Sequence, residues 1–167
     1  MAEFGGINYT LNGQEPVAAE DFYLLGAKLA NDQQYDAAEV FLMRAEQLGS
    51  PEAMIDLALL YRERLLPCSR PPLHHAIEHL GYASDLGHPY AQYLIAEIYY
   101  RDYKDDLTAA GFYQACMDNP RRADHPYRSL MDSSDLRLSE IRYAQSQRRE
   151  QERRDAVNPP RPQEWRF

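Results

Sequence analysis

The sequence predicts an all-α fold, an α-solenoid of about three helix-turn-helix repeats closed by a C-terminal capping helix. Three observations carry that expectation. Pro51-Glu52-Ala53-Met54-Ile55-Asp56-Leu57-Ala58-Leu59-Leu60-Tyr61 returns 38 residues later as Pro89-Tyr90-Ala91-Gln92-Tyr93-Leu94-Ile95-Ala96-Glu97-Ile98-Tyr99, so that Ala53, Ala58 and Tyr61 recur as Ala91, Ala96 and Tyr99. A second helical pattern, Ala38, Leu42, Ala45, Leu48 and Gly49, recurs at the same spacing as Ala76, Leu80, Ala83, Leu86 and Gly87. The junctions also share their chemistry: Gly49-Ser50-Pro51 and Gly87-His88-Pro89 each set a glycine to end one helix and a proline to begin the next.

Each element follows in order. Residues 1–16 hold three glycines, two asparagines and a proline, the composition of an irregular or short extended arm, from which Phe4, Ile7, Tyr9 and Leu11 are expected to dock on the first helix. Residues 17–118 form the repeat domain. Its first helix, Asp21 to Leu29, has Gly26 where the later copies have Ala58 and Ala96. The turns between paired helices are Asn31–Gln34, the longer Leu65–Pro72, and Asp102–Asp106. In the third unit Ala109, Tyr113 and Cys116 take the places of Ala76, Leu80 and Ala83, and the pattern breaks at Asn119-Pro120. Small residues at 26, 58, 96, 45, 83 and 116 let paired helices approach closely, and Leu42, Leu80 and Tyr113 fill the space beside them. One such unit has too little partner surface for its apolar stripe, so about three stacked units are near the minimum for stability. Residues 119–156 are a loop and a C-terminal helix, expected to start at Ser133-Ser134-Asp135 and to bury Leu138, Ile141 and Ala144 or Gln145. From Gln145 to Asp155 the stripe ends and charges of both signs alternate. Residues 157–167, rich in proline, form a non-helical tail that carries Trp165 and Phe167.

The pairing of Ala-x-x-x-Leu-Ala-x-x-Tyr on a first helix with Ala-x-x-x-Leu-x-x-Ala-x-x-Leu-Gly on a second, followed by Pro-x-Ala, resembles the Sel-like repeat family, close kin of tetratricopeptide repeats. The resemblance covers residues 19 to 118. It implies an α-solenoid that binds other proteins or peptides and has no catalysis of its own. The chain departs from the family's pattern between paired helices, where the family's glycine-containing turn is missing and the second unit carries Leu65-Leu66-Pro67-Cys68-Ser69-Arg70-Pro71-Pro72 instead.

Composition narrows the function classes. The chain has 167 residues, 44% apolar and 26% charged, with 18 basic and 26 acidic side chains and a formal charge of −8. No run approaches the ~18 apolar residues that span a bilayer, and no basic, apolar leader begins the chain, so a cytoplasmic location without membrane contact is expected. Residues 1–139 carry 11 basic and 21 acidic groups, and residues 140–167 carry 7 and 5. The acidity belongs to the repeats, which argues against nucleic acid and favours a basic protein partner by steering.

Candidate chemistry is sparse. His75 and His79, four apart on one helix with His74 and Glu78 nearby, have a spacing that two imidazoles on one metal would use. Cys68 in the proline-rich loop adds a thiol. An enzyme dependent on metal or thiol, built from His75, His79 and Cys68, is the alternative reading. No phosphate loop, dinucleotide fingerprint or triad signature accompanies them, so no catalytic residue, metal or cofactor is expected. The 13 tyrosines are more telling, because tyrosine offers large contact area with little rotamer entropy to lose. Since first helices of such solenoids line the concave surface, setting residues 26, 58 and 96 as packing positions turns Tyr23, Glu52, Ile55, Leu59, Arg62, Tyr90, Tyr93, Glu97 and Tyr100 toward a groove, together with Glu20 and Ala27. The expected function is that of a non-catalytic protein-interaction module, an adaptor, chaperone or inhibitor such as an immunity protein. A structural self-association module, in which a second copy covers the exposed ends of the stack, is the further alternative.

Overall fold

A computed structural model of the chain describes residues 3–4, 7–124 and 127–157. Among these residues the fold is helical apart from the N-terminal arm, which holds a short antiparallel pair, β1 (Glu3–Phe4) with β2 (Ile7–Asn8), and a bridge between Leu11 and Gln14. Seven α-helices follow: α1 (Ala19–Asn31), α2 (Tyr35–Gln47), α3 (Pro51–Arg62), α4 (Pro72–Asp85), α5 (Pro89–Ile98), α6 (Asp106–Asp118) and α7 (Arg128–Val157). Each packs on the helix before it and the helix after it, and α1 also touches α3 as α5 touches α7. None is long and apolar enough to cross a membrane.

The helix ends follow from the local sequence. The Asp21 carboxylate accepts from the backbone N–H of Ala18 at 2.9 Å, Ser50 Oγ from Ala53 at 3.2 Å and the Asp105 carboxylate from Thr108 at 3.0 Å, which satisfies donors that α1, α3 and α6 leave open. Gly49 and Gly87 stand at φ +89° and +74°. Past them the N–H of Ser50 reaches Ala45 O at 3.0 Å and that of His88 reaches Ala83 O at 3.1 Å, the same left-handed ending twice. Between paired helices, where the sequence lacks glycine, the left-handed residue is present all the same: Gln33, Arg64 and Lys104 stand at φ 60°, 59° and 56°.

The core is the one the repeat spacing calls for. Ala45, Ala58, Ala83, Ala96 and Cys116 are buried, as are Leu42, Leu80 and Tyr113. Gly26 is the tightest of these contacts, since a Cβ there would lie 2.7 Å from Leu42 Cγ. Three buried clusters run along the stack, one around Leu29, Phe41 and Leu57, one around Ile55, Leu80 and Ile95, and one around Ala96, Tyr113 and Ile141.

Two expectations are corrected. Helix α7 starts at Arg128, ahead of Ser133, and Ser134 lies fully buried inside it. Tyr127 fixes the earlier start: its hydroxyl lies 3.1 Å from His88 Nε2, its N–H donates to Asp124 O at 2.8 Å, and Arg121 sits over its ring. In the third unit α5 winds directly into a π turn over Tyr99–Tyr103, so the connecting loop is shorter than the sequence suggests. In the N-terminal arm, Tyr9 packs on the cluster that Leu25 and Leu29 of α1 share with α2, its ring 5.2 Å from that of Phe41. The side chains of Phe4 and Ile7, and the tail with Trp165 and Phe167, lie outside the described residues.

Helix α7 runs antiparallel to α6. Leu138 and Ile141 join Tyr113 in the core, Arg142 donates to Gln114 at 3.2 Å, and Arg148 meets Asp106 at 3.6 Å where α6 begins. At about 1.5 Å per residue its 30 residues reach about 45 Å, more than twice its neighbours. Every residue from Ser146 to Val157 is exposed.

Candidate functional site

The residues expected on the face of the first helices separate into two groups. Toward the N-terminal end, a hollow of about 440 Å³ between α1 and α3 is lined by Tyr23, Ala27 and Asn31 from α1, by Asp56, Leu59 and Glu63 from α3, and by Tyr35 and Leu65. Tyr23 and Leu59 are thus brought together as expected, and Glu52 stands one turn before Asp56 on α3. Burial pushes the Tyr23 hydroxyl above its ordinary range, helped by the negative charges of Asp56, Glu52 and Glu20, so these four side chains share one field.

Toward the C-terminal end the face is occupied. Glu97, expected to point into an open groove, is buried at 5% exposure. Tyr113 donates its hydroxyl to Glu97 at 2.5 Å, Arg101 reaches it at 2.5 Å from the next turn, and Arg137 of α7 approaches at 3.7 Å. Arg137 also lies over the Tyr100 ring, 5.3 Å from its centre, and Tyr93 packs between the rings of Tyr90 and Tyr113. A carboxylate needs such partners once it leaves water. Helix α7 supplies one of them, and by doing so it lies across this part of the face. Ile55 is also buried, within the cluster of Ala91, Leu94 and Ile95. Arg62 leaves the hollow to pair with Asp102 at 3.3 Å, beside a second cavity of about 370 Å³ lined by Arg64, Pro71, Leu73 and Tyr103.

Asp56 is the residue that the sequence reading missed. The sequence set follows α3 at Glu52, Ile55, Leu59 and Arg62, whereas the observed stripe is Glu52, Asp56, Leu59 and Glu63. Both spacings are helical, and they differ by about one residue of rotation. The sign that marks the second is the pair of carboxylates, 52 and 56, one turn apart. Burial raises the Asp56 carboxyl to about 6, with the Glu52 charge adding to the effect, and no donor acts in the opposite direction.

His75 and His79 form a different arrangement. Both imidazoles stack on the Tyr61 ring, at 4.8 and 5.5 Å between centres. His79 Nδ1 lies 2.6 Å from Glu46 Oε1, while Tyr61 donates its hydroxyl to Glu39. The cluster ties α4 to α2 and α3. Cys68 is exposed in the loop before α4, and Cys116 is buried with its Sγ 3.4 Å from Pro89 O. Among the described residues no three His, Cys, Asp or Glu side chains are grouped so as to hold a metal. Comparison of the chain with family models, with curated proteins and with solved structures finds no match.

Proposed function

We propose that the consecutive helices form an α-solenoid of three helix-turn-helix units of the Sel-like or tetratricopeptide kind, with α7 as its cap, and that the chain is a non-catalytic protein-interaction module. An adaptor, a chaperone and an inhibitor of a basic enzyme are all instances of this class. The partner docks on the first helices at the open N-terminal part of the face, between α1 and α3. One observation carries this reading: the hollow between these helices sets tyrosine and leucine side chains beside carboxylates, a mixture of large contact area and charge that suits a protein surface. The acidity of residues 1–139 adds attraction for a basic partner.

The test is capture from the native host by the tagged chain, with mass spectrometry of what is retained. Tyr23→Ala combined with Leu59→Ala should lose a protein that the unaltered chain retains, with the helical circular-dichroism signal kept and the thermal transition lowered by the packing that both side chains give to the core. A control on the opposite side, Met43→Ala with Tyr82→Ala at two exposed positions, should keep it. Equal retention by both double variants would remove the α1–α3 face from the proposal.

A further inference from the structure

We infer that the hollow between α1 and α3 is a subsite for one cationic side chain, a lysine or arginine presented by the partner, whose charged end pairs with the Asp56 carboxylate while its methylene stem lies against Tyr23 and Leu59. The inference rests on the docking reading above and specifies its chemistry.

The other partly buried acids of helices α2 to α5 each have a partner. Glu39 accepts from Tyr61, Glu46 is bonded to His79, Glu52 accepts from Ser50 Oγ at 3.4 Å, and Glu97 holds Tyr113 and two arginines. Asp56 differs. It is partly withdrawn from water, its nearest charged influence is the like charge of Glu52, and no arginine, lysine or histidine lines the hollow. A carboxylate in that position is costly unless something pairs with it. The fold itself does not require the acid, because the repeat register sets Leu94 at the equivalent place on α5, where it is buried in the core. An ionisable group held in a cleft without a partner has the character of a recognition site.

The walls select the kind of cation. Ala27, Leu59, Leu60 and Leu65 give the hollow an apolar lining, and Tyr23 and Tyr35 add ring faces and hydroxyls. Lysine and arginine combine an apolar stem with a charged end, so each matches a site with greasy sides, the half-buried Asp56 carboxylate and the exposed Glu63 carboxylate at its edge. A metal ion is the poorer match, since the hollow gathers two carboxylates and, among the described residues, no group of three His, Cys, Asp or Glu side chains.

The experiment uses the full chain and two probes, acetyl-arginine methylamide and acetyl-norleucine methylamide, followed by nuclear magnetic resonance up to tens of millimolar. The arginine probe should shift resonances of Tyr23, Asp56 and Leu59 and lower the titration midpoint of the Asp56 carboxyl. Its affinity should fall about tenfold between pH 7 and pH 5, as a group with a midpoint near 6 takes up its proton. Asp56→Asn should abolish these shifts with the thermal transition retained. Equal shifts by the norleucine probe, the absence of shifts in the hollow with either probe, or arginine binding unaltered in Asp56→Asn would each overturn the cationic subsite. Host capture distinguishes this from failure of the docking reading itself. A protein lost with Tyr23→Ala and Leu59→Ala but kept by Asp56→Asn leaves the docking face in place and removes the subsite.

Discussion

At the scale of single residues, two glycines within helices show how differently the fold uses one residue type. Gly26 stands where α1 crosses α2, with the space for a Cβ already taken by Leu42. Gly26→Ala forces that leucine or the helix backbone aside, and overpacking of this kind costs about 1–3 kcal/mol. Nothing lies within 4 Å of a Cβ at Gly81, in the middle of α4, so Gly81→Ala removes backbone freedom from the unfolded chain and stabilises by about 0.5–1 kcal/mol. Urea unfolding of the two variants should therefore move in opposite directions. A loss of stability in Gly81→Ala, or none in Gly26→Ala, would contradict this account of the α1–α2 crossing. The sequence had already marked Gly26 as a packing position by its register with Ala58 and Ala96. It did not reveal that the approach leaves no room for even one methyl group, because that depends on the rotamer of Leu42.

At the scale of elements, the same left-handed ending serves every unit, and only some copies have the residue best suited to it. Glycine fills it at 49 and 87, whereas Gln33, Arg64 and Lys104 adopt it with a Cβ, at a cost of about 1–2 kcal/mol each. Arg64→Gly and Lys104→Gly should accordingly raise the thermal transition. The net gain is from a few tenths to about 1 kcal/mol each, since glycine also loosens the unfolded chain. Unchanged or lowered transitions would mean that the side chains of Arg64 and Lys104 hold these turns by contacts of their own. The glycine endings were legible because glycine followed by Ser-Pro or His-Pro is a strong local signal. The other three were illegible, as nothing in Asp32-Gln33-Gln34 or Glu63-Arg64-Leu65 marks a left-handed residue. The start of α7 escaped for a related reason: Ser133-Ser134-Asp135 reads locally as a cap, and the outcome is decided by Tyr127 meeting His88 from 39 residues away. The π turn after α5 likewise has no marker in Tyr99-Tyr100-Arg101-Asp102-Tyr103.

At the scale of the molecule, the repeat register made the helices and their order readable, while the burial of Glu97 under α7 was not. It depends on Arg137 of α7 reaching Glu97 and Tyr100, a contact about 40 residues apart in sequence that no local spacing encodes. The acid–base behaviour of the whole fold also has two opposed contributions. Burial holds the His88 imidazole below its ordinary range, so the unfolded chain takes up that proton more readily, and this contribution to stability is full above about pH 6.5 and lost as pH falls. The raised Asp56 carboxyl acts the other way, with the folded chain gaining stability as pH drops through about 6 toward 4. Thermal unfolding from pH 7.5 to 5 should show His88→Ser with a flatter decline on acidification than the unaltered chain, and Asp56→Asn with a steeper one. Parallel curves would show that neither group governs the acid limb. The long α7 has a different consequence. A short polar helix standing alone in water would mostly melt, because its first turn is improbable. Here the half clamped on α6 as far as the Arg148–Asp106 pair has already formed that turn, so the remainder needs only propagation and extends as a cantilever, its stiffness borrowed from the clamp.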